Sequence, residues 1–107
     1  MAKQIKFNFE GTDYTLEYTR RSVQKMERDG FVAAAMGSKP VSTLPELFAG
    51  AFIAHHPFVK QSVIDAIYER LPDKQQLIGK LSEMYAEPIN SLFDEPTEGN
   101  VDWTTSW

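Results

Sequence analysis

The residues of this chain that could do chemistry are few, and their spacing decides how they are read. Two histidines stand side by side at His55 and His56. Neighbouring side chains on a helix diverge by about 100°, whereas helical zinc ligands sit four residues apart on one face, so the spacing argues against a metal site. The expected arrangement is one histidine partly packed and one at a helix end before Pro57. There is no cysteine, which excludes a thiolate nucleophile, a sulfur-based zinc site and a disulfide framework, and suits an intracellular protein. No nucleophile elbow, phosphate-cradling glycine loop or histidine–carboxylate motif occurs. The expectation is a protein that is not an enzyme, with no catalytic residue, no metal and no cofactor.

Charge narrows the partners. Arg20, Arg21, Lys25 and Arg28 form one basic stripe, but Glu27 and Asp29 interrupt it and no aromatic residues are interleaved for base stacking, so it reads as the solvated face of a helix. Asp94, Glu95, Glu98 and Asp102 lie in a final segment that has no Lys or Arg, which leaves residues 1–93 with 11 acids against 11 bases. A neutral body with an acidic end has little attraction for phosphate backbones, so no nucleic acid is expected as partner. Nowhere do 18 apolar residues run together and no signal peptide opens the chain, so no membrane partner is expected and the expected location is the cytoplasm.

The elements that would position these residues follow from periodicity. Lys3 to Glu10 and Asp13 to Tyr18 alternate apolar and polar residues around Gly11-Thr12, the pattern of a β-hairpin over 3–18. Glycine first in a two-residue loop suits a type II′ turn, which would set Phe9 opposite Tyr14, Phe7 opposite Leu16 and Ile5 opposite Tyr18. Thr19 is the expected N-cap of a helix from Arg20 to Asp29, stopped by Gly30, with Val23 and Met26 facing inward. Phe31 to Val41 reads as a connection. Three more helices follow. The first is capped by Ser42 or Thr43, has Pro45 in its first turn, carries Leu44, Leu47, Phe48, Ala51, Phe52 and His55 on one face, and is ended by Pro57. The second carries Val59, Val63, Ile64, Ile67, Tyr68 and Leu71, and the third opens on Asp73 with Gln76 as a capping box and carries Leu77, Ile78, Leu81, Met84 and Tyr85. Pro88 should end or kink that helix, although Ile89, Leu92 and Phe93 could extend its stripe.

The fold class expected is therefore α+β, mainly α: an N-terminal β-hairpin, about four helices and a disordered acidic tail. Residues 1–93 should form a single globular domain and 94–107 the tail, since Pro96 and Gly99 interrupt it and nothing in it is periodic. A lone ribbon is marginal in water and both its outer edges are unpaired, so something must cover it, either this chain's own helices or another chain. On that argument Phe7, Phe9, Tyr14 and Leu16 are candidate partner-binding residues. Trp103 and Trp107, apolar side chains stranded among acids, are two more.

The pattern of the whole chain resembles a known family. The hairpin at 5–18, then Val23, Met26-Glu27, Gly30-Phe31, Leu47-Phe48, Ala51-Phe52, His55-His56, Ile67-Tyr68, Leu71 and Asp73-Lys74 before Leu77, resemble the small tail assembly chaperones of long-tailed bacteriophages and prophages, of the Gram-positive type. The likeness spans residues 3 to about 93 and ends in an acidic, tryptophan-bearing tail of the kind such proteins carry. What the resemblance implies is a viral protein of the host cytoplasm, absent from the finished virion, that coats the tape-measure protein while tail-tube protein assembles around it, with a longer frameshifted product from the same gene. Self-association is a further expectation. The alternatives are a structural tail or connector protein retained in the virion and, third, a small nucleic-acid-binding regulator.

Overall fold

The computed structural model describes residues 3–94, 99 and 101–107. A two-stranded antiparallel hairpin, β1 (Ile5–Phe9) and β2 (Thr12–Leu16), precedes four helices, α1 (Arg20–Arg28), α2 (Pro40–Gly50), α3 (Gln61–Arg70) and α4 (Lys74–Asn90). Short 3-10 turns lie at Ala33–Met36 and Ser91–Phe93. The class is α+β and mainly α, as the periodicity predicts.

The hairpin forms with the expected faces but in another register. Phe7 lies opposite Tyr14, Ile5 opposite Leu16 and Phe9 opposite Thr12. The two loop residues are Glu10 and Gly11, both with positive φ (51° and 85°), so the turn is type I′ and not the type II′ turn expected at Gly11-Thr12. The shift is by two residues on the partner strand, and because side chains alternate with period two the apolar set stays together. Glu10 takes the left-handed conformation that non-glycine residues avoid; Gly11 supplies the second one freely. The Asn8 side chain steadies the turn, its Oδ1 accepting from Gly11 N–H at 3.1 Å while its Nδ2 donates to Asp13 at 2.9 Å.

Thr19 caps α1 as expected, its Oγ1 accepting from Ser22 N–H while Ser22 Oγ accepts from Thr19 N–H, a reciprocal box. At the other end Gly30 has φ 98°, and Phe31 N–H reaches Met26 O while Gly30 N–H reaches Glu27 O. That pair of bonds is a Schellman stop, and it turns Phe31 into the core.

Helix α2 starts earlier than expected. Pro40 occupies its first turn with its missing N–H among the groups that have no intrahelical partner anyway. Thr43, expected as a cap, is instead buried on the helix's inner side, and Pro45 lies inside the helix. The helix proper ends at Gly50, and the chain runs on through turns to His55. Asp73 opens α4 with one arm of the expected capping box, its Oδ1 accepting from Gln76 N–H at 3.4 Å. Pro88 neither ends α4 nor removes it from the core; the helix continues to Asn90 and Pro88 is buried. Ile89, Leu92 and Phe93 do not extend the inward stripe and face water.

The core is filled from β2 and all four helices. Leu16, Leu47, Phe48, Ala51, Phe52, Ile67 and Leu81 are shielded almost entirely, with Tyr14, Tyr18, Val23, Met26, Ile64, Met84 and Tyr85 around them. Each fully buried side chain of this kind contributes about 1.5–3 kcal/mol. Edge-to-face contacts run through it: Phe48 to Phe52 at 5.2 Å, Phe48 to Tyr68 at 5.1 Å and Tyr18 to Tyr85 at 5.4 Å.

Candidate functional site

β2 is the strand that ties the hairpin to the helices, and its own sequence explains how. Tyr14, Leu16 and Tyr18 point into the core, so Tyr14 and Leu16, two of the candidate partner-binding residues, are used up by the fold itself. Phe7 and Phe9 on β1 are half-buried; Phe7 stacks on Tyr14 at 5.4 Å, and the Arg70 guanidinium lies over the Phe9 ring at 5.0 Å. Two outward N–H groups at the C-terminal half of β2 and just beyond it are also taken. Thr15 N–H donates to His56 Nε2 at 3.0 Å, and Glu17 N–H donates to Ala51 O at 3.0 Å. Of the two edges expected to be unpaired, the β2 edge is therefore covered at Thr15 and Glu17 by residues 51–56.

That covering explains the histidine pair. His56 packs against Tyr14 at 5.1 Å and, accepting through Nε2, carries its proton on Nδ1. Burial lowers its pKa below the usual 6.5, with the adjacent His55 adding to the shift. His55 points the other way and donates to Glu17 Oε1 at 2.6 Å. The hydrogen bond from His55 holds the Glu17 carboxyl below its usual range against the opposing effect of burial, and Gln4 assists. The two ring centroids lie 6.4 Å apart with the planes tilted by 52°, each ring engaged with a different partner.

The His55–Glu17 pair is the nearest thing to an acid–base couple, and Glu17 borders an open cleft lined by Thr19, Arg20, Glu87 and Ser91 among others. The two aliphatic hydroxyls lining it, of Thr19 and Ser91, are both engaged at helix ends. Thr19 Oγ1 caps α1, while Ser91 Oγ donates to Pro88 O and accepts from Arg20. Among the described residues no three His, Cys, Asp or Glu side chains converge on a point that could hold a metal. No helix among them is long and apolar enough to cross a membrane.

The C-terminal end exposes large apolar side chains. Leu92 and Phe93 are 61% and 84% exposed at the end of α4, with Ile89 beside them in sequence. Trp103 and Trp107 are 81% and 100% exposed, so neither contributes to the core. The expected disorder of the tail falls partly on residues 95–98 and 100, which lie outside the described residues. In sequence these apolar side chains stand beside Asp94 and Asp102, and what exposed side chains of this size can do is bury against another chain. Two contributors were not singled out by sequence reasoning: Tyr18, whose hydroxyl donates to Leu47 O, and His56 as the acceptor that closes the β2 edge.

Residues 1–107 match the family described as a domain of unknown function (DUF5055). The chain belongs to that family. No curated protein and no solved structure matches it.

Proposed function

We propose that this chain is a non-catalytic tail assembly chaperone of a long-tailed phage or prophage, working in the host cytoplasm, that binds the tape-measure protein and shields its apolar helices during tail assembly. The observation that carries the reading is the set of large apolar side chains facing water at the C-terminal end, Leu92, Phe93, Trp103 and Trp107, in a chain whose core is already closed without them. Aromatic side chains of this size anchor protein interfaces because one residue buries a large area at small entropic cost. The acids beside them keep the free chain dispersed and favour a basic client. The engagement of Thr19 and Ser91 at helix ends supports the absence of turnover.

The test is co-expression with a tape-measure protein of a long-tailed phage, followed by purification on a tag carried by the client. Co-purification, with the client soluble only when this chain is present, is the expected result. In purified particles the protein should be absent. A client equally soluble alone would remove the reading, and stoichiometric presence in particles would mark a structural tail or connector protein.

A further inference from the structure

The two edges of the hairpin are treated unequally. Ile5, Phe7 and Phe9 exchange hydrogen bonds with β2, so the N–H and C=O groups of Lys6 and Asn8 point to the opposite side. Along the β2 side, Thr15 N–H and Glu17 N–H are taken by His56 and Ala51. No hydrogen bond from a described residue reaches the backbone of Lys6 or Asn8, and both residues are exposed. The side chains of Ile5, Phe7 and Phe9, on the face that packs on the core, remain only half-buried. β1 thus offers free backbone groups and a partly covered apolar row along the same rim.

We infer that β1 pairs with β1 of a second copy, antiparallel and centred on Phe7, to make a four-stranded sheet across a two-fold axis. The sequence of the strand selects this occupant and this register. Centring on Phe7 sets Lys6 opposite Asn8 of the other copy twice over, as hydrogen-bonded pairs, and forms an unbroken apolar row of Ile5 with Phe9, Phe7 with Phe7 and Phe9 with Ile5. Gln4 falls opposite Glu10, and Lys6 lies diagonal to Glu10 of the second copy. Sliding the pairing one way places Lys6 against Lys6, a like-charge contact; sliding it the other way sets Lys6 and Ile5 against Glu10 and Gly11, which have left the strand for the turn, and leaves only Phe7 to Phe9 paired within β1. The central lysine that guards an isolated edge against arbitrary strands is matched in one symmetric register. This inference does not rest on the proposed function, since it uses only the hairpin.

The test reads mass, position and exchange on the intact chain. Sedimentation should show the mass rising with concentration from 12.2 kDa to twice that value. The chain has no cysteine of its own, so Phe7→Cys should form a covalent dimer on mild oxidation. A non-hydrogen-bonded antiparallel pair places its Cα atoms about 4.5 Å apart, within disulfide reach. Asn8→Cys, whose symmetry mate is offset, should cross-link at least tenfold more slowly. In the unmodified chain the amides of Lys6 and Asn8 should exchange more slowly as the mass doubles, while that of Phe7 is slow throughout. A mass fixed at the monomer value, cross-linking of Asn8→Cys as fast as that of Phe7→Cys, or Lys6 and Asn8 amides indifferent to concentration would each overturn the inference.

Discussion

Replacing Tyr18 by phenylalanine should separate the hairpin's hydrogen-bonded anchorage from its apolar packing. At the end of α2 the amide of Ala51 bonds Phe48 O, leaving Leu47 O without its regular partner four residues on. The Tyr18 hydroxyl donates to that carbonyl, and both residues are buried. Burial, aided by the neighbouring Tyr85, raises the Tyr18 pKa far above its usual value, so the hydroxyl stays a donor at any pH the protein meets. Tyr18→Phe keeps the ring, its edge-to-face contact with Tyr85 and nearly all its volume, and strands a buried acceptor. Leaving such a group unsatisfied costs about 1–3 kcal/mol. For a domain near this size that lowers Tm by about 4–24 °C, at roughly 4–8 °C per kcal/mol. Tyr85→Phe is the matched control: Tyr85 packs on Tyr18 and Phe31, but its hydroxyl bonds no described residue, so the change strands no acceptor and should cost less than Tyr18→Phe. Urea unfolding followed by circular dichroism reads both variants. Equal loss from the two, or no loss from Tyr18→Phe, would refute the assignment of Tyr18 as the tie between hairpin and α2.

Stability should fall on acidification in two stages. The folded pKa of His56 lies below 6.5, so its contribution is complete above about pH 6.5 and is lost as pH falls through the folded value; Glu17, lowered from 4.5, adds a loss of the same sign further down. The urea midpoint should record the upper stage as about 1 kcal/mol, the worth of the Thr15 bond, and His56→Phe should abolish that stage alone. Gly50→Ala should destabilise by about 1–3 kcal/mol, because a Cβ there overlaps the sulfur and terminal methyl of Met26. The double variant with Met26→Ala should lose less than the sum of the single changes, measured by a double-mutant cycle. Trp103 and Trp107 should emit as solvent-exposed indole in the dilute free protein and shift to the blue when the client is added; blue emission without client would place them in the fold.

Much of the architecture was legible because it depends on which face a residue occupies. The alternation around the turn predicted the hairpin's apolar face even though the pairing differs by two residues, since such a shift leaves every side chain on its own side. The turn itself was misplaced because a rule based on glycine's freedom favours the position where glycine comes first, while Glu10 accepts a left-handed conformation beside Gly11. Local cap rules failed at Thr43 for a tertiary reason: burial turned that side chain inward, and Pro40 opened the helix instead. Pro88 stayed helical for the same kind of reason, being packed in the core. Among the candidate binding residues, Trp103 and Trp107 are exposed as their lack of periodicity implied. Tyr14 and Leu16 are not, because a strand's inward row can be satisfied by its own helices, and that choice is made by contacts distant in sequence.

The fastening of β2 also bears on how the chain can change length. Thr15 meets His56 across 41 residues and Tyr18 meets Leu47 across 29, so the segment containing α1 and the Ala33–Met36 turn is a closed loop whose two ends are pinned by named bonds. The entropy of closing such a loop grows only logarithmically, each doubling of its length costing about 0.6 kcal/mol. A few residues added at Gly37 or Ser38, both exposed and outside the helices, would therefore cost a small fraction of that. A single residue added between Thr15 and Tyr18 would throw the edge bonds and the inward side chains out of phase together. Insertion tolerance in this fold is set by phase along β2, and the connector is where the chain can grow.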